Sequence, residues 1–161
     1  KEGLIQPRHQ VLERTPDFKH LVNQVQAEDP EFLAQLTELF ARIFLNHHGS
    51  HGVVFLHAFT GPSALRLLEF YLSREDSVRA LKYAWQFAAA VYATHGDDSS
   101  LLAVAKEDLE APNPKELIES AMETGAAHAI KMTEACLREW EVNPKPVFLF
   151  AAKHAIHTIA F

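Results

Sequence analysis

Three basic side chains raise the first chemical question in this sequence. His57 sits inside the apolar run "VVFLHAF" at 53–59, and His128 and Lys131 stand three residues apart in "GAAHAIKMTEAC" at 125–136. A buried imidazole has to find either a hydrogen-bond partner or a metal ion. His57 therefore reads as a core histidine bonded to a carbonyl or carboxylate, or as a ligand. At about 100° per residue, His128 and Lys131 lie about 60° apart on a helix and are neighbours. They read as a solvated lysine beside a half-exposed histidine, or as two groups facing inward to hold something. The apolar arc of their helix is expected to centre on Ile130, Thr133, Leu137 and Trp140, with Glu134, Arg138 and Glu141 opposite. His128 then lies on the shoulder, flanked by Met132 and Ala135, and Lys131 lies nearer the charged edge. That placement favours the solvated reading.

The other histidines carry weaker signals. His47, His48 and His51 cluster around a predicted turn, but their spacing crosses a helix break and no cysteine joins them, so they read as loop residues. His154 and His157 are three apart with no evident partner. His95 ends a helix, where the macrodipole favours a cation. Cys136 has no basic neighbour at a spacing that marks a nucleophile and reads as a small core residue. The sequence holds no GxGxxG, Walker A, HExxH or GxSxG pattern.

The elements that must position these residues are helices. Apolar residues recur at spacings of three and four almost throughout, and no strand pattern persists. The pattern predicts helices over 17–26, capped by Asp17, over 30–46, and over the apolar stretch 51–59. "TGP" at 60–62 is expected to end that stretch, with Pro62 in the first turn of a new helix running to about residue 72. Further helices are predicted over 76–94, 101–109, 114–123, closed by Gly125, 126–142, and from 147 to the end. Gly49 and Ser50 read as a helix stop and the next N-cap. The expected fold is all-α, a multi-helix bundle of about seven helices in one domain covering residues 1–161.

Composition narrows the function classes. The 161 residues suit one domain, and 48% hydrophobic residues suffice for a core. A net charge of −6 with no basic stripe argues against nucleic acid as a partner. No apolar run reaches the roughly 18 residues of a membrane span. No secretory signal pattern is visible, and the single cysteine fits a reducing compartment, so a cytoplasmic protein is expected. The chain starts at Lys1 and ends in apolar "HTIAF", and both ends read as cuts or processing sites.

Three stretches taken together carry a family resemblance: "HAFTGPSALRLL" at 57–68, "ALKYAWQFAAAVYATHG" at 80–96, and "HAIKMTEACLREWEVNPKPVFLFAA" at 128–152. In order and approximate spacing they resemble the C-terminal half of the questin oxidase-like family. The resemblance runs from about residue 50 onward. It implies an oxidoreductase that oxygenates a polycyclic aromatic or anthraquinone-like substrate with opening of a ring, with NADPH as a possible cofactor. It also implies non-haem Fe(II) held by His57, His128 and Lys131, the lysine being carboxylated. A lysine ammonium cannot bind a metal cation, whereas a neutral amine can add carbon dioxide to become an anionic carbamate. Burial favours the neutral amine. Two imidazoles and one carboxylate-like group form the ligand set of non-haem Fe(II) oxygenases, which leaves positions for substrate and dioxygen. Phe55, Phe59, Trp85, Phe87 and Trp140 read as plain core or as the lining of a pocket for a flat substrate.

Family members are much longer, and their N-terminal half supplies further histidines that have no match here. The chain is therefore expected to be the C-terminal part of a longer enzyme, completed by its missing half or by a second chain. The alternative is a non-catalytic helical module that packs against a partner.

Overall fold

In a computed structural model, residues 10–47, 52–96 and 110–159 are described. They form six α-helices and three short 3-10 helices, with no strand among the described residues. The α-helices are α1 (Phe32–Asn46), α2 (Gly52–Leu68), α3 (Arg74–His95), α4 (Pro114–Thr124), α5 (Ala127–Val142) and α6 (Pro146–Thr158). The 3-10 helices are Gln10–Arg14, Phe18–Asn23 and Glu69–Tyr71. The all-α fold expected from the apolar periodicity is the fold observed. No helix among the described residues is long and apolar enough to cross a membrane. The helix predicted over 101–109 and the stop and cap at Gly49 and Ser50 lie outside the described residues.

Local chemistry explains most of the boundaries. The Ser73 hydroxyl accepts the Asp76 backbone N–H and starts α3. The Asn113 side chain accepts the Lys115 N–H at 2.9 Å, and Pro114 occupies the first turn of α4. Gly125, at φ 62°, takes the left-handed conformation that closes α4 and turns the chain into α5. Two expectations change. Asp17 makes no side-chain cap, and the segment it precedes is the 3-10 helix Phe18–Asn23. Pro62 does not start a new helix but sits inside one continuous α2. The residue before it is Gly61, which has no Cβ to crowd the proline ring and so removes one of the clashes of an interior proline.

The core is built where α1, α2, α5 and α6 meet. Phe40 and Phe44 of α1, Phe55 and Phe59 of α2, Met132 of α5 and Phe148 of α6 are all buried in it. α5 and α6 are joined by residues 143–145 and pack side by side, and the small residues Ala129, Ala135 and Cys136 of α5 and Ala151, Ala152 and Ala155 of α6 are all essentially inaccessible. Small side chains let two helix backbones approach closely without voids. This shifts the buried face of α5 from the expected one. It runs through Ala129, Met132, Thr133, Ala135, Cys136 and Glu139, while Ile130 and Leu137 are only half-buried.

A polar cluster ties α1, α2 and α5 together within that core. Glu139, with 0% exposure, accepts hydrogen bonds from Ser63 Oγ at 2.7 Å, Thr37 Oγ1 at 2.9 Å and Arg66 Nε at 2.9 Å. Arg66 Nη2 lies 2.9 Å from the same carboxylate. A buried charge is tolerated only when paired and hydrogen-bonded, and Glu139 is both.

Candidate functional site

The candidate site lies at the other end of the α2–α5 contact. α2 and α5 touch twice. His57 meets His128 and Lys131 at one place, and Ser63 and Arg66 meet Glu139 at the other. Advancing along α2 therefore corresponds to advancing along α5, so the two helices run in the same direction. The buried Glu139 cluster locks their register, and the register carries His57 to its neighbours.

The geometry at this end is close. Lys131 Nζ donates to His57 Nδ1 at 3.3 Å. The His57 and His128 rings meet edge to face, with centroids 5.6 Å apart. Because Nδ1 of His57 accepts, the neutral ring carries its proton on Nε2. Burial, then the Lys131 charge, then His128, hold the His57 imidazole below its ordinary range and keep it neutral. His57 is half-buried, while His128 and Lys131 are exposed, so the burial expected to favour carboxylation of Lys131 is not found. Neither alternative for a simple core histidine holds for His57, since its polar neighbour is an amine and not a carbonyl or carboxylate. Among the described residues, no group of three or more His, Cys, Asp or Glu is placed to share a metal ion. The nitrogen donors that do converge are these two imidazoles and the amine of Lys131.

The remaining candidates fall elsewhere. His47 follows the last residue of α1 with extended backbone, as a loop residue, but it is buried: its Nδ1 bonds the Ile43 carbonyl at 2.8 Å, and its ring packs on Phe55 with centroids 4.3 Å apart. His48 and His51 lie outside the described residues. His154 packs edge-on to Phe44, and His157 Nδ1 donates to the carbonyl of Lys153. Cys136 is a buried thiol, and burial followed by the nearby Glu139 and Glu134 charges pushes it well above the ordinary thiol range. Phe55 and Phe59 are fully buried, and Trp85 and Trp140 pack against the core.

A groove of about 530 Å³ runs along the outer side of α5 against α4. Ile118, Met122, Ile130 and Leu137 form its apolar walls, and Glu134 and Arg138 stand at its polar edge, paired at 3.0 Å. Glu134 is one helical turn from Lys131, so groove and site share a helix. Comparison of the chain with protein-family models, curated proteins and solved structures gives no match.

Proposed function

We propose that the chain is an oxidoreductase of the questin oxidase-like type. In this reading His57, His128 and a carboxylated Lys131 hold iron, dioxygen is the oxidant, and a polycyclic aromatic or anthraquinone-like ring is opened. The observation that supports it is the convergence of residues 74 positions apart into one cluster. Two imidazoles that are to hold one ion must lie side by side, each with a ring nitrogen able to face it. The separation of 5.6 Å between His57 and His128 suits that arrangement. The third donor is then Lys131 as its carbamate, which converts a repelling ammonium into an anionic oxygen ligand.

Iron held by His57, His128 and carboxylated Lys131 would supply the activation of dioxygen. The chain would supply two imidazoles and one anionic oxygen, and it leaves the cluster open to a substrate arriving from solvent. Burial of His57 favours its neutral form, the form that donates a lone pair to a metal. Inserting one oxygen atom into the ring leaves the other to be reduced to water by two electrons, the role of NADPH in this reading. The test is dioxygen uptake by the Fe(II)-loaded chain in bicarbonate, with NADPH and a hydroxyanthraquinone. Uptake that depends on the quinone and disappears in His57→Ala supports the reading. Uptake unchanged in that variant overturns it.

A second reading is a helical module that packs against a partner chain. It is favoured by the open groove, where Met122 is 63% and Ile118 49% exposed. Sedimentation of the purified chain separates the two, because a metal-free, well-behaved monomer with no oxygenase activity fits only the module.

A further inference from the structure

We propose that His57, His128 and Lys131, with the lysine unmodified, form a receptor for a small oxyanion, either a carboxylate or a phosphate. The inference uses the side chains of the iron reading without depending on it, since it concerns the metal-free site.

Three nitrogen bases meet here and none faces a carboxylate among the described residues. Several other surface cations are paired with carboxylates. Lys82 reaches Glu28, Lys145 reaches Glu38, Arg42 reaches Glu38 and Arg79 reaches Asp76. Lys131 instead reaches an imidazole nitrogen, which brings no negative charge. The nearest acid along α5 is Glu134, one turn away, and Arg138 Nη1 holds it at 3.0 Å. On α2 the residues a turn either side of His57 are Val53, Val54, Thr60 and Gly61, all uncharged. The groups that act electrostatically on His57 are both basic. The site is thus a cluster of basic groups with no carboxylate among the described residues to balance it.

Donors and room are both present. One Lys131 N–H is spent on His57 Nδ1, and two remain. His128 is exposed and has a ring N–H to offer. Beside His57, one turn along α2, a Cβ on Gly61 would meet nothing within 4 Å, so the space there is open. An oxyanion with two oxygens can take one bond from Lys131 Nζ and one from His128, and charge-assisted bonds of this kind are the stronger ones. Exposure to water makes the attraction sensitive to salt.

The test is calorimetric titration of the chelator-treated chain at low ionic strength, with inorganic phosphate and, separately, with acetate. Saturable one-to-one binding of either anion is expected. It should weaken about tenfold in Lys131→Gln, be retained in Lys131→Arg, and be unchanged in Lys153→Gln, an exposed lysine outside the cluster. Displacement of the His57 and His128 ring resonances during the titration places the anion. Tighter binding of phosphate assigns a phosphoryl ligand, and tighter binding of acetate assigns a carboxylate. If neither anion saturates, or if Lys131→Gln binds as the parent chain does, the proposal is overturned. Iron content is measured on separate samples, so failure of one proposal leaves the other standing.

Discussion

Lys131 Nζ stands 3.3 Å from His57 Nδ1, although the two residues are 74 positions apart. The bond joins α2 to α5 at the open end of their contact. About two helical turns further along both helices, Arg66 and Ser63 grip the buried carboxylate of Glu139. One contact is accessible and suited to chemistry; the other is sealed and suited to holding register.

The accessible contact makes a prediction about protonation. His57 is depressed by burial first and by Lys131 second. Lys131→Gln removes the second cause, so the His57 titration followed by imidazole NMR should move upward while burial keeps it below the ordinary histidine range. No movement would mean that the amine does not sit against the ring. The linkage follows. The folded state binds this proton less readily than the unfolded chain, so the contribution of His57 to stability is whole above about pH 6.5 and declines as pH falls below it.

The sealed contact makes a prediction about stability. Removing one partner of a buried ion pair strands the other without water, at a cost of about 3–5 kcal/mol. Arg66→Ala and Glu139→Ala should each lose about that much in urea denaturation. The double variant should lose much less than the sum. Additive losses would show that the two side chains do not act as a pair.

Cys136 should be inert in the folded chain. It is fully buried, and its thiol is held well above the ordinary range by burial first and then by Glu139 and Glu134. A thiol-specific reagent such as Ellman's is expected to react only as the chain unfolds. The protonated thiol is the form the fold favours, so this group's contribution is present below about pH 8.5 and is lost as pH rises above it. Rapid labelling under native conditions would place Cys136 at the surface.

Much of this was legible in the sequence, and the exceptions are instructive. The three- and four-residue spacing of Phe32, Leu36, Phe40 and Ile43 marks α1 directly, and Asn113, Pro114 and Gly125 bracket α4 as their chemistry requires. The face of α5 was misread because Ile130 and Leu137 are large and apolar, whereas the interior wants the small residues Ala129, Ala135 and Cys136 against α6. Glu139 carries no signal by itself because a carboxylate in the polar run "REWE", beside Arg138 and near Glu141, reads as solvated. The available signal was its alignment with Met132, Ala135 and Cys136, together with Ser63 and Arg66 on an otherwise apolar helix. Pro62 reads as a helix start because an interior proline lacks an N–H and crowds the preceding turn, and the glycine before it relieves only part of that crowding. The convergence of His57 with His128 and Lys131 depends on how α2 and α5 pack, which no local pattern records.

The most direct measurement is elemental analysis of the chain after anaerobic loading with Fe(II) in bicarbonate and removal of excess metal. About one iron per chain is expected, with loss in His57→Ala, His128→Ala and Lys131→Ala alike. Iron at background in the parent chain, or iron retained when Lys131 is replaced, contradicts a metal centre shared by these three residues.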